Sequence, residues 1–103
     1  MNIIEKNIDK LIELCLTHKV KELYIFGSVL TDNFNDSSDI DFLVQFGQID
    51  ILDYFDNYMD LKEKLEILLG RHVDLIENQA IRNPIFRKIV DRDKKIVYER
   101  ESA

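Results

Sequence analysis

The stretch from Ile25 to Val44 reads IFGSVLTDNFNDSSDIDFLV and decides how the rest of the chain is interpreted. An apolar run ends at Gly27-Ser28, a segment rich in Asp, Asn and Ser follows, and a second apolar run contains Asp39-Ile-Asp41. Turn-forming residues between two β-forming runs predict two strands joined by a loop. The stretch therefore predicts a sheet with polar residues at the ends of its strands.

Four segments of the chain predict strands. The first strand is expected at residues 21–26, the second at 39–46, the third at 71–77 and a short last one at 94–99. They are rich in β-branched and aromatic residues and are bounded by glycine or polar turns.

Three segments predict helices, because their apolar residues recur at intervals of three and four. One covers residues 3–16, and one begins after Asp50 as N-cap and runs to about Leu69, with Gly70 just past its end. The aromatic and leucine stripe of this second helix is predicted to be core. Asn83-Pro84 opens the third helix. The order helix, strand, strand, helix, strand, helix, strand predicts a layered α/β (α+β) domain.

Composition limits the classes of function. A chain of 103 residues is expected to form a single domain, residues 1–103. Its net charge of −6 disfavours a nucleic-acid backbone as direct partner. The single cysteine, Cys15, lies at an apolar position of the first helix and is predicted to be buried. With no signal-peptide pattern and no apolar run of membrane-spanning length, we expect a cytoplasmic protein without a membrane partner.

Aspartates occur inside two of the predicted strands. Alternation places Asp39 and Asp41 on one side of the second strand, and Asp74 lies within the apolar third strand. Taken singly, Asp39 or Asp41 is equally well a turn or solvated residue, but Asp is disfavoured inside strands. If the two strands are neighbours, the three carboxylates converge.

Such convergence is unfavourable without a compensating cation. Two unit charges 4 Å apart repel by roughly 4 kcal/mol at an effective dielectric constant of 20. The sequence has no Lys or Arg between Lys21 and Lys62. A raised pKa, a distant base or a divalent metal could relieve the repulsion, and carboxylate oxygens suit Mg²⁺ or Mn²⁺.

Gly27-Ser28, ten residues and Asp39-Ile-Asp41 together resemble the signature of the DNA polymerase β-like nucleotidyltransferase superfamily. Nearly the whole chain resembles one branch, the minimal nucleotidyltransferases (MNT), which are antitoxin partners of HEPN-domain toxins. The resemblance includes Leu68-Leu-Gly-Arg-His-Val-Asp-Leu75, with Asp74 at the third carboxylate position. It implies a small mixed β-sheet with helices packed on one side.

The resemblance also implies the chemistry. Asp39 and Asp41 would ligate two Mg²⁺ ions that hold the triphosphate of ATP, and Asp74 would complete one metal site and help to activate the attacking hydroxyl. Gly27 and Ser28 would contact the phosphates. AMP would pass to a tyrosine of the HEPN toxin, in a hetero-oligomeric complex, and silence that toxin.

One segment departs from the family pattern. After Gly-Ser, family members often carry two arginines and a second glycine, whereas this chain reads Val29-Leu-Thr-Asp32. Arg82 and Arg87 are either substitute cations or solvated helix residues. His72 shares a side with Asp74 and is interpreted as an exposed or core-edge residue rather than a ligand.

Three other functions compete with AMP transfer to a toxin. The first is a catalytically weak or inactive antitoxin that neutralises its HEPN partner by binding alone, which the missing arginines favour. The second is AMP transfer to a small molecule, whose known enzymes carry an additional helical domain. The third is RNA tailing, which the acidic composition disfavours.

Overall fold

The computed structural model describes residues 2–100. Four strands form one mixed sheet in the order β3-β2-β1-β4. The pairs β1–β2 and β1–β4 are antiparallel, and β2–β3 is parallel. The strands are β1 (Val20–Phe26), β2 (Ile40–Phe46), β3 (Val73–Glu77) and β4 (Lys95–Glu99).

The helices are α1 (Asn2–Lys6), α2 (Ile8–Thr17), α3 (Ile51–Leu69) and α4 (Pro84–Asp93). Two short 3₁₀ turns, Gly27–Leu30 and Asn78–Ala80, follow β1 and β3. Among residues 2–100, none of these helices is long and apolar enough to cross a membrane. The predicted fold class, a small mixed sheet with helices, is confirmed, but α4 packs on the face opposite to the other helices, so the helices are not all on one side.

The main core lies between the sheet and the first three helices. Phe42, Leu23, Leu11, Leu61 and Leu65 are completely buried there. Cys15 is buried in the same core as predicted, and burial raises the pKa of its thiol to about 12.

The opposite face of the sheet is covered only in part, by α4. Val90 of α4 packs against Phe26 and Leu43 in a smaller cluster. Because strand side chains alternate, the residues between the core residues of β2 point to this less covered face. Asp41, the functional candidate on β2, therefore lies on the face that α4 covers in part and away from the main core.

The helix caps follow the sequence prediction. The Asp50 carboxylate accepts a hydrogen bond from the backbone N–H of Leu52, 3.0 Å away, at the start of α3. Gly70 ends α3 in the left-handed conformation. The Asn83 side chain accepts hydrogen bonds from the first N–H groups of α4.

Two details of the predicted helices are wrong. The single helix expected over residues 3–16 is two helices that meet at Asn7, whose side chain donates to Ile3 O at 2.8 Å. Part of the α3 stripe that was predicted to be core is exposed, since Ile51 and Leu52 are each 86% exposed and Phe55 is 69% exposed, whereas Tyr58 packs against the main core as predicted. The completely buried residues of α3, Leu61 and Leu65, lie in its second half.

Candidate active site

The candidate site lies at the sheet edge where β1 ends and β2 and β3 begin. Asp41 of β2 pairs with Phe26 of β1 on one side and with Asp74 of β3 on the other. Strands two and three are thus neighbours, in the parallel register that places Asp41 directly beside Asp74. A one-residue shift of this register would have sent the two carboxylates to opposite faces.

The environment of Asp41 favours its neutral form. Burial raises the pKa of this carboxyl to about 6, with further contributions from a hydrogen bond to Asp74 and from the negative charges of Asp74 and Asp39. A hydrogen bond between two carboxyl groups requires that one proton be shared. Without a cation, the pair therefore keeps its shared proton to a higher pH than two free aspartates would.

Asp39 completes the carboxylate set from the loop just before β2. Its Oδ2 lies 3.4 Å from His72 Nδ1, and the same nitrogen lies 3.8 Å from Asp74 Oδ1. One ligand atom from each of Asp39, His72 and Asp74 lies within 4.8 Å of the others. This group of two carboxylates and an imidazole has the donor types that bind divalent cations.

His72 is exposed as predicted, but its place between two of the candidate aspartates was not predicted. Strand alternation from Asp74 gave the only sequence signal, since it puts residues 72 and 74 on one side. Glu66 of α3 supports this end of β3: its Oε2 accepts from Val73 N at 3.0 Å and lies 3.9 Å from His72 Nε2. The Val73 N–H, together with Lys62, lowers the pKa of Glu66.

Gly27 lies against the carboxylates. It has a φ of 78°, and a Cβ built on it would overlap the Asp41 carboxylate. Its lack of a side chain therefore permits both the left-handed turn and the close approach of Asp41. The Ser28 hydroxyl, which follows, lies 3.4 Å from the carbonyl oxygen of Asp39.

Arg71 fixes the loop that precedes Asp39. Its guanidinium donates to Asn35 O at 2.9 Å and to Ser38 O at 3.0 Å, and it lies over the Phe34 ring, 4.6 Å from the centroid. Sequence reasoning missed this contact because it spans more than 30 residues and no local pattern reports it. Arg71 positions the approach to Asp39 from outside the carboxylate group.

Asp32, Arg82 and Arg87, which were considered above in relation to the missing arginines, have different environments in the structure. Asp32 is exposed. Arg87, one of the two suggested substitute cations, donates to the Asn78 carbonyl and side-chain oxygens and pairs with Asp91 at 3.4 Å. Arg87 therefore braces the segment after β3. Arg82 is exposed in the loop before α4.

The fold and the site together define a nucleotidyltransferase domain. Residues 9–103 match the family described as "Polymerase beta, Nucleotidyltransferase", and the chain belongs to this family. The family and the enzyme class that were predicted from the Gly-Ser and Asp-x-Asp pattern are thereby confirmed.

Two curated relatives of this chain are named as nucleotidyltransferases of one kind, protein adenylyltransferases. "Putative protein adenylyltransferase MJ1379" of Methanocaldococcus jannaschii is 38% identical over 76 residues, which cover 74% of this chain and 75% of the relative. "Protein adenylyltransferase MntA" of Thermococcus cleftensis is 34% identical over 79 residues, covering 77% and 74%.

Solved structures share the fold. One described as a "putative minimal nucleotidyltransferase" superposes with a TM-score of 0.74 at 29% identity, covering 92% of this chain and 95% of the other. A tri-AMPylated Shewanella oneidensis HEPN toxin in complex with its MNT antitoxin gives a TM-score of 0.64 at 23% identity, covering 94% and 73%. At that identity the second likeness concerns the fold alone.

Proposed function

We propose that residues 1–103 form one minimal nucleotidyltransferase domain that transfers AMP from ATP to a tyrosine hydroxyl of a HEPN-domain toxin and so acts as its antitoxin. The observation that carries the proposal is the pairing of Asp41 with Asp74 beside Gly27. The relatives named as protein adenylyltransferases support a protein acceptor. Since ATP is a cytoplasmic metabolite, the proposed activity is cytoplasmic.

The proposed cofactor is a pair of Mg²⁺ ions held by Asp39 and Asp41, with Asp74 completing one of the two sites. The fit rests on the crowded carboxylates: burial raises the pKa of Asp41, and the nearby Asp74 and Asp39 raise it further. Bound divalent ions would neutralise these carboxylates and stabilise charge on the phosphates. His72, whose Nδ1 lies 3.4 Å from Asp39, is placed to adjust the orientation of that ligand.

The proposed reaction joins the acceptor oxygen to the α-phosphorus of ATP. As this P–O bond forms, the bond from the α-phosphorus to the bridging oxygen breaks and pyrophosphate leaves. Asp74 takes the proton of the attacking hydroxyl, a role that its position at the open edge beside Asp41 supports. Gly27 lets the phosphates approach the backbone, and the Ser28 hydroxyl donates to them.

A second candidate function has the same partner and the same antitoxin role but involves no AMP transfer. A catalytically inactive antitoxin of the same fold would neutralise its partner by contact alone. The absence of arginine from Val29–Asp32 favours this alternative, because a triphosphate there would lack those cations. The presence of the whole carboxylate group favours catalysis.

The deciding experiment mixes the protein with ATP, Mg²⁺ and the HEPN protein encoded beside it. Intact-protein mass spectrometry then measures AMP on the partner, and an RNase assay measures neutralisation. We expect AMP on a partner tyrosine and loss of RNase activity. Neutralisation without any AMP transfer by the wild-type protein would instead establish the binding-only antitoxin.

Variants test the assigned residues. Asp41→Asn and Asp74→Asn should each lower the rate of AMP transfer by roughly 10²–10³-fold, because each removes charge that acts on the reacting groups. Asp36→Asn is the control, since this aspartate is exposed in the loop before β2 and should leave the rate within about twofold. Full activity of either site variant would refute the assignment.

A further inference from the structure

A groove lies on the side of Gly27 opposite to the carboxylates. It has a volume of about 430 Å³ and is lined by Gly27, Leu30, Thr31, Asp93 and Lys95. Lys95 reaches it because β4 runs antiparallel to β1 and pairs Lys95 with Ile25, just before the turn at Gly27. Gly27 thus separates an acidic cluster from a groove that contains a base.

The charge in this groove is available for a ligand. Lys95 is exposed, and within residues 2–100 its ammonium makes no hydrogen bond or ion pair. The other charged lining residue, Asp93, is already neutralised: its carboxylate oxygens accept from Arg92 at 2.8 and 3.0 Å. Lys95 is therefore the free charge of the groove.

Three other bases already have partners within the described residues. Arg71 is bound to loop carbonyls, and Arg87 is bound by Asn78 and Asp91. Lys94 also pairs with Asp91, at 3.1 Å. A phosphate group held over Gly27 would find these cations already occupied.

Thr31 belongs to the turn after β1. After Gly27-Ser28 this turn reads Val29, Leu30, Thr31 and contains no base. Leu30 and Thr31 line the same groove as Lys95. The chain therefore has a base in space close to the segment where it lacks one in sequence.

We propose that Lys95 binds the terminal phosphates of ATP and supplies the positive charge that the turn after β1 lacks. This inference rests on the proposed function, since it places the nucleotide across Gly27. Strands in a sheet are about 4.8 Å apart, so β2 and β4 flank β1 closely enough for a triphosphate to contact both the carboxylate edge and the groove. An ammonium on a flexible stem binds phosphate as a point charge.

The test measures binding of ATP and of AMP, each with Mg²⁺, by calorimetry and without an acceptor protein. Lys95→Met keeps the stem and removes the charge. It should weaken ATP binding by about tenfold and leave AMP binding within about twofold, because AMP lacks the terminal phosphates. Lys95→Arg should restore most of the ATP affinity. Lys21→Met is the matched control, an exposed lysine at the far end of β1.

The outcomes separate this inference from the proposed function. Unchanged ATP binding by Lys95→Met, or equal losses for ATP and AMP, would overturn the role of Lys95 even if the wild-type protein transfers AMP. A selective loss of ATP binding would support Lys95 even if no AMP reaches the acceptor, in which case only the transfer fails. A wild-type protein that binds no ATP would overturn both.

Discussion

The two faces of the sheet differ in the residues they carry: one carries the buried core and the other carries the candidate site aspartates. On the face covered by α1, α2 and α3, Phe42 and Val73 are completely buried. On the other face, Asp41 and Asp74 are adjacent to them in the chain, and the Asp74 side chain is 48% exposed. Alternation along β2 and β3 therefore places core residues and candidate site residues at successive positions of the same strands. The following predictions test how independent the two faces are.

The largest effect is expected on the covered face. Phe42→Ala should lower the free energy of unfolding by about 3–5 kcal/mol, through lost burial and the cavity left behind. Urea denaturation measures it. Phe55→Ala, at a residue that is 69% exposed on α3, should change the stability by less than about 0.5 kcal/mol. Similar losses for the two variants would contradict the assignment of the core.

An intermediate loss of stability is expected for a substitution at Gly27, the turn residue that lies against the Asp41 carboxylate. Gly27→Ala should lower stability by about 1–2 kcal/mol because of the positive φ, and should also displace the Asp41 carboxylate and weaken Mn²⁺ binding by about tenfold. Gly70→Ala has the same backbone strain, with nothing within 4 Å of the added Cβ. Calorimetric titration should show metal binding intact in this control. Equal metal affinities in the two variants would remove Gly27 from the site.

The smallest change in stability is expected for a substitution on the less covered face, and this substitution should stabilise the protein rather than destabilise it. The pKa of Asp41 is about 6 in the folded protein and about 3.8 as its ordinary value, so ionisation disfavours the folded state. Without metal, Asp41→Asn should match the wild type near pH 4 and become more stable by about 1 kcal/mol as the pH rises through 6, after allowance for solvent screening.

Thermal unfolding in EDTA across this pH range measures the difference. Addition of Mg²⁺ at pH 7 should stabilise the wild type more than Asp41→Asn, since only the wild type has the full set of carboxylates. If the wild type were instead the more stable protein in EDTA at pH 7, the raised pKa of Asp41 would be wrong.

Features that depend on local sequence patterns were predicted more successfully than features that depend on distant parts of the chain. Periodicity and caps predicted β2 and α3, because these depend on local patterns, whereas the meeting of Asp41 and Asp74 was predicted only on condition that their strands are neighbours. The exposed start of α3 was mispredicted, since an apolar stripe reports a face without reporting what covers it. The contacts of Arg71 and His72, and the position of Lys95 beside the groove, depend on chain segments brought together only by the sheet, so no local pattern predicted them.

The parallel pairing of β2 with β3 has a consequence for the order of folding. Parallel strands need a crossover, which here includes the whole of α3, so Asp41 and Asp74 meet only after a loop of more than 30 residues has closed. Closing such a loop has an entropic cost that must be met before the distant contacts form. The hairpin of β1 and β2 alone holds Gly27, Asp39 and Asp41 but lacks Asp74, His72 and the Arg71 anchor. A nascent chain therefore has no complete carboxylate group until β3 has been synthesised and docked.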